Sequence, residues 1–353
     1  MTESKQEWEG SLDAEVGFDP DADHLLDVRD LDVEFPTDYG VVNAVNGLSY
    51  TLDRGETLAI LGESGSGKSV SALAVMGIIE KPGRIPKGEV LLHGVDLLKT
   101  PERKLRDIRG ERIAMIFQDA LTALNPVYSV GWQIAEMYRK HRGTDRKTAF
   151  KQAADLMDRV RIPNAQDRVD DYPHQFSGGM RQRVMIAMAL SLDPEVLIAD
   201  EPTTALDVTV QAQIMKLLSD LQDETGMGMI LITHDLGVVA EVCDEVNVMY
   251  AGRVMERAPI DKLYADPAHP YTLGLMHSIP RADRKGLPLD PIPGQPPNLA
   301  NIPSGCEFHP RCAFAEDICS TDAPPLYDVD GQRASACHFW EEVLRARSEP
   351  TAG

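Results

Sequence analysis

Eight consecutive residues constrain this chain more than any others: Gly62-Glu63-Ser64-Gly65-Ser66-Gly67-Lys68-Ser69, a match to the pattern G-x-x-x-x-G-K-[ST]. The apolar run TLAIL leads into them, and VSALAVMGII follows with the periodicity of a helix. A buried strand, a glycine turn and a helix in that order form a cradle for phosphate. Glycines let the backbone wrap an anion closely with its N–H groups pointing inward. The positive end of the following helix faces the same anion. Lys68 then supplies a point charge to the β- and γ-phosphates of a nucleotide, and the Ser69 hydroxyl a ligand for Mg²⁺. Gly62 to Ser69, with Val70 opening the helix behind them, are the expected nucleotide contacts.

A second group of residues completes such a site. The apolar strand VLIAD ends at Asp200, and Glu201 follows directly, about 130 residues after the loop. Asp200 is placed to hold Mg²⁺ through water, and Glu201 to orient and polarise an attacking water. Strands and helices alternate along the chain: the helix from Ser177 to Leu192, the strand EVLIAD, the helix VTVQAQIMKLLSDLQDET, the strand GMILIT, then the strand pair EVNVMYAGRVME. That order predicts a mostly parallel sheet covered on both faces.

Charge narrows the partners. The 35 basic residues face 56 acidic ones, a net charge of −21, whereas broad contact with nucleic acid needs clustered Lys and Arg. The acidity fits either adaptation to high internal salt or an acidic protein with an acidic tail. Residues 1–23 hold eight acidic residues and one lysine, and are read as a disordered tail. With no secretory pattern at the start and no run of about 18 apolar residues, the chain is expected to stay in the cytoplasm.

Phe176-Ser177-Gly178-Gly179-Met180-Arg181-Gln182-Arg183 resembles the signature sequence of ABC transporter nucleotide-binding domains, commonly L-S-G-G-Q. The Ser-Gly-Gly centre is intact, and Phe176 and Met180 replace the outer residues. The resemblance implies an α/β P-loop ATPase domain over residues 24–257, with a mostly parallel core sheet, an antiparallel β subdomain and a helical subdomain at about 119–176. It implies that Ser177, Gly178, Gly179 and Met180 face the ATP held by a second ATPase, so that two domains sandwich two ATP molecules head to tail. Gln118 matches the glutamine that contacts Mg²⁺ and couples to the membrane subunits. Asp207 closes the D-loop, and His234 matches the switch histidine at the γ-phosphate. Lys68, Glu201 and His234 are the expected catalytic residues; Ser69, Gln118 and Asp200 are the expected Mg²⁺ set. Phe35 aligns with the aromatic that stacks on adenine, with Tyr39 as second candidate.

From about residue 258 the composition changes: ten of 24 prolines lie between Pro280 and Pro325. This reads as a separate, irregular module spanning 258–353. Its segments His269-Pro270-Tyr271-Thr272, Ile279-Pro280, Gly294-Gln295-Pro296-Pro297 and Pro303 to Cys312 resemble the C-terminal extension of oligopeptide/dipeptide importer ATPases. The resemblance implies uptake of peptides, or of a related ligand such as nickel complexes. It also implies a peripheral place on the cytoplasmic face of the membrane, with two permeases, a second ATPase and an external binding protein, and no nucleic acid. Four of five cysteines cluster here, at Cys306, Cys312, Cys319 and Cys337. Four thiolates hold either zinc or a [4Fe–4S] cluster, and reduced unliganded thiols are the alternative. The resemblance favours the cluster, acting as a staple. The competing function class is a soluble ABC ATPase working on nucleic acid or ribosomes.

Overall fold

The computed structural model describes residues 16–19, 21–38, 40–204, 206–278 and 291–348. Most of the acidic tail lies outside the described residues, as do Tyr39, Ala205 and the pair Ile279-Pro280.

The centre of the molecule is a sheet of buried strands: β3 (Thr57–Leu61), β6 (Ile113–Ile116), β7 (Val196–Asp200), β8 (Gly228–Thr233) and β9 (Glu245–Tyr250). They run parallel in the order β9-β3-β8-β7-β6. Their side chains alternate between two cores, as the pleat requires. Leu58, Ile60, Val196, Ile198, Ile230 and Ile232 pack to one side. Ala59, Leu61, Leu197, Ala199, Met229 and Leu231 pack to the other. Apolar residues on both faces explain why these segments read as continuous hydrophobic runs.

The first core is closed by a four-stranded antiparallel sheet, in which β1 (Leu26–Thr37) lies between β2 (Gly40–Leu52) and β4 (Arg84–Leu92), and β5 (Val95–Asp96) flanks β4. Helix α1 (Lys68–Val75) follows the glycine loop and stops sooner than the apolar run VSALAVMGII suggests, because Gly77 turns the chain at φ +65°. Helix α2 (Glu102–Glu111) leads into β6. The second core is covered by a helical layer: α3 (Ala120–Ala123), α4 (Val130–His141), α5 (Arg146–Arg159), α6 (Ala165–Arg168) and α7 (Gly178–Leu190). Asp145 starts α5 by accepting from the N–H groups of Lys147 and Thr148, and Ser177 starts α7 by accepting from Met180. Helix α8 (Val208–Thr225) buries Ile214, Leu217, Leu218 and Leu221, one stripe at helical spacing, and α9 (Leu236–Val242) follows β8.

The chain passes residue 258 inside a strand, β10 (Arg253–Pro259), which turns back on β9 through Ala251 and Gly252, both at positive φ. It continues through α10 (Ile260–Ala265) and α11 (Pro270–His277), and the described residues 291–316 are irregular up to α12 (Asp317–Thr321). Two short strands, β11 (Tyr327–Asp328) and β12 (Ala334–Ser335), then join the central sheet at β10, before α13 (Trp340–Ser348).

Glu256 in β10 is fully buried, and its carboxylate accepts from the N–H groups of Ala268 (2.6 Å) and His269 (3.1 Å). Burial pushes this carboxyl up to about 7 from its ordinary 4.5, against the pull of those hydrogen bonds. The folded state thus holds the proton more tightly than the unfolded chain. The stability this contributes is complete below about pH 4.5 and is lost as pH rises through about 7. Glu256→Gln does not titrate. Between pH 4.5 and 7 the wild type is expected to lose stability relative to this variant, by on the order of 3 kcal/mol at most. Thermal midpoints of both proteins across that window measure the difference, and parallel curves would contradict it.

Candidate functional site

The glycine loop is seated by close backbone contacts. A Cβ at Gly67, where φ is +100°, would lie 2.3 Å from the Ala44 carbonyl oxygen; one at Gly62 would lie 2.2 Å from that of Met249. Only glycine fits either position. Lys68 is nearly fully buried and donates to the carbonyls of Gly62 (2.7 Å) and Glu63 (2.8 Å), which closes the loop on itself. Burial pushes its ammonium below the ordinary lysine value, against the attraction of Glu201, Asp200 and Glu63. An arriving anion would restore the charge that burial disfavours.

Asp200 ends β7 beside the loop and accepts from the Ser69 hydroxyl at 3.0 Å. Burial raises its pKa, and the neighbouring Glu201 adds to the shift. A hydroxyl and a carboxylate in contact are a hard-oxygen donor set of the kind Mg²⁺ takes. Glu201 turns off the strand at φ +45°, a left-handed conformation uncommon for such a residue and frequent at functional sites. Its carboxylate accepts from Gln118 (2.9 Å) and Thr204 (2.8 Å), and His234 Nδ1 lies 3.2 Å from its other oxygen. Burial raises the Glu201 pKa, but the bonds from Thr204 and His234 outweigh it and hold it below the ordinary glutamate range. Gly62, Glu63, Ser64, Gln118, Glu201 and His234 share one open cleft of about 560 Å³. All six are among the residues that the sequence motifs singled out. The motifs did not single out Thr204 as the partner of Glu201.

Ser177, Gly178, Gly179, Met180 and Asp207 line a different cleft, of about 440 Å³, with Arg161 and Arg183. Asp207 also starts α8 by accepting from Val210 N–H at 3.0 Å. Arg161 there pairs with Asp220, and Arg183 donates to the Val160 carbonyl at 2.9 Å, beside the glycine-rich helix start whose N–H groups suit an anion. Neither arginine stands out by periodicity in the sequence. Phe35 stands apart from both clefts, against Gly83 and Ile79 at the edge of the antiparallel sheet's core. Val70 packs on that same core behind the loop.

The C-terminal segment supplies a wall of the first cleft through Leu275 and Pro296. His269 accepts from Tyr271 N–H through Nδ1 and so starts α11, with Pro270 next; burial pushes its pKa down to about 3, keeping it neutral. The Tyr271 hydroxyl in turn accepts from Glu63 N–H at 3.0 Å. Cys306, Cys312, Cys319 and Cys337 are all unpaired and line one small cavity of about 10 Å³. Backbone N–H groups of Phe314 and Phe339 point at Cys312 Sγ (3.3 Å) and Cys337 Sγ (3.4 Å). Four thiols around one cavity, two with N–H donors, have the chemistry of a soft-metal site. Among the described residues, however, no three side chains stand ready to hold a single ion.

Comparison with known proteins accounts for this arrangement. The family described as ABC transporter matches residues 45–204, and that described as Oligopeptide/dipeptide transporter, C-terminal region, matches residues 255–319. The oligopeptide transport ATP-binding protein OppD of Haemophilus influenzae is 53% identical over 302 residues, covering 86% of this chain and 93% of that protein. The chain belongs to the ABC transporter family. OppD of Salmonella typhimurium is 52% identical over 316 residues, 90% of this chain and 94% of that protein. Among solved structures of ABC cassettes, dimeric MJ0796, a bacterial ABC transporter cassette, aligns with a TM-score of 0.60 at 25% identity, covering 67% of this chain and 98% of that one. The structure of cbiO1 from Clostridium perfringens, part of an ABC transporter complex, aligns at 0.59 and 30% identity, covering 69% and 91%. As an ABC ATPase, the chain binds and hydrolyses ATP.

Proposed function

We propose that this chain is the ATP-hydrolysing subunit of an ABC importer for peptides. The observation that carries the reading is the grouping of Lys68, the Ser69–Asp200 pair and the Gln118–Glu201–His234 cluster around one glycine loop, whose first residues line the same cleft as Gln118, Glu201 and His234. The match of residues 255–319 to an oligopeptide/dipeptide transporter region, and the OppD relatives, support peptides as the cargo.

The loop N–H groups and Lys68 bind the β- and γ-phosphates. Ser69, Asp200 and Gln118 would hold Mg²⁺, which neutralises phosphate charge when bound. Glu201, kept ionised by its hydrogen bonds, accepts from the attacking water and aims it in line. His234 stays beside Glu201 and reaches the γ-phosphate. Ser177, Gly178, Gly179 and Met180 lie in the other cleft, so they meet the ATP of a second ATPase in a head-to-tail dimer, with Asp207 beside them. Domain boundaries near residues 24 and 258 separate the tail, the ATPase domain and the extension. Phe35 is kept as the adenine-stacking candidate on sequence position alone.

No described helix is long and apolar enough to cross a membrane, so the membrane passage belongs to partner permeases. A groove of about 210 Å³ lined by Met76, Met115, Phe117, Met137, Met185 and Met188 lies beside the helical layer and Gln118. Its adaptable methionines suit a permease's coupling helix, which supports a peripheral position at the cytoplasmic face of the membrane. The full assembly has two permeases, a second ATPase and an external binding protein. Cys306, Cys312, Cys319 and Cys337 would hold a [4Fe–4S] cluster, or zinc, as a staple once their thiolates close on it.

Glu201→Gln keeps the hydrogen-bonding shape and removes the base. Hydrolysis should fall by about 10²-fold or more while ATP stays bound, measured by phosphate release and nucleotide retention. Turnover at the wild-type rate would refute the role of Glu201. For the thiols, metal analysis of protein purified without air should find iron and acid-labile sulfide together. Zinc alone would replace the cluster, and neither would leave four free thiols. Capture of the chain from gently solubilised membranes should bring two multi-span permeases, a second ATPase and a peptide-binding protein. Recovery with ribosomes or nucleic acid instead would overturn the transport reading.

A further inference from the structure

Glu63 places an acid at the second position of a loop shaped for polyphosphate, where an unpaired carboxylate would repel the ligand. It is not unpaired. Arg311 NH1 donates to Glu63 Oε2 at 2.6 Å and NH2 to Oε1 at 3.2 Å, a two-pronged pair. Arg311 lies 248 residues away in sequence, in the turn between Cys306 and Cys312. The rest of its guanidinium is also engaged: Nε donates to the Pro293 carbonyl at 2.9 Å, and NH1 reaches the Tyr250 hydroxyl at 3.3 Å. The plane packs over the rings of Tyr250 and Phe308, and these with Tyr271 form a buried aromatic cluster. Tyr271 from the same cluster accepts from the Glu63 backbone. Glu63 is therefore held at its side chain by Arg311, at its N–H by Tyr271 and at its carbonyl by Lys68.

We propose that Arg311 is a positioning residue for nucleotide binding: it neutralises Glu63 and fixes the entrance of the phosphate loop from the C-terminal module. The inference rests on the reading of Gly62–Ser69 as the nucleotide loop. A lysine in its place would carry the charge but not the fork, and would leave Pro293 or one Glu63 oxygen without a donor.

The test is titration of the full-length chain with Mg-ATP, followed by calorimetry. Lys68→Ala should lose binding; if it binds as wild type does, the loop assignment itself falls. With that control in place, Arg311→Gln is expected to weaken binding by about ten-fold, a usual size for coupling between distinct sites. In the Glu63→Gln/Arg311→Gln double variant the repulsive charge is gone, and affinity should recover relative to Arg311→Gln alone. Loss of a merely structural contact would not be rescued this way. Wild-type affinity in Arg311→Gln, or no recovery in the double variant, overturns the proposal. Should Arg311→Gln not fold, Arg311→Lys decides: an intermediate affinity supports the proposal and wild-type affinity overturns it.

Discussion

The molecule is organised around a lysine that has been taken out of water without a carboxylate in direct contact. Lys68 donates to two carbonyls, those of Gly62 and Glu63, and so closes the loop from inside while Tyr271 and Arg311 hold it from outside. Keeping an ammonium there requires a rigid surround, since desolvation disfavours the charge. The surround is the parallel sheet. β3 delivers the loop, β7 delivers Asp200 and Glu201 beside it, β8 delivers His234, and β6 leads to Gln118. Each functional side chain stands at the carboxyl end of its strand, where open α/β sheets bind ligands.

Much of this was legible in the sequence because it depends on local chemistry. The helix VTVQAQIMKLLSDLQDET and the strand GMILIT have the bounds their patterns suggested. The glycines announced their loop since no other residue fits against Ala44 and Met249. Elements set by tertiary contact were less visible. The first helix stops at Val75 although its apolar run continues, because a single glycine reverses the chain. The ring of Phe35 packs beside Gly83, a contact with no short-range signal. Thr204, Arg161, Arg183 and Arg311 each gain their meaning from residues distant in the chain or across a turn.

The proline-rich segment shows the same limit. Its composition signals irregular backbone, and over the described residues 291–316 the chain forms no strand and only a single helical turn at His309–Arg311. Composition did not signal that His269, Tyr271 and Phe308 would be buried against the ATPase core, or that Leu275 and Pro296 would face the nucleotide cleft. Prolines there remove donors that a sheet would need, and side-chain rings replace those contacts.

β10 carries one last consequence. Its outer edge pairs with the two residues of β12 and accepts from Ala336 N–H at Met255, and its buried acid, Glu256, finds its backbone donors in Ala268 and His269. A cassette cut after β10 would keep every phosphate contact and lose both partners. It would present a raw strand edge, a template for association with other chains, beside a charged carboxylate facing no donor. The extension is therefore not a detachable ornament on a finished enzyme: trimming at that junction would bare the strand edge and, in the same cut, release the phosphate loop from Arg311 and Tyr271.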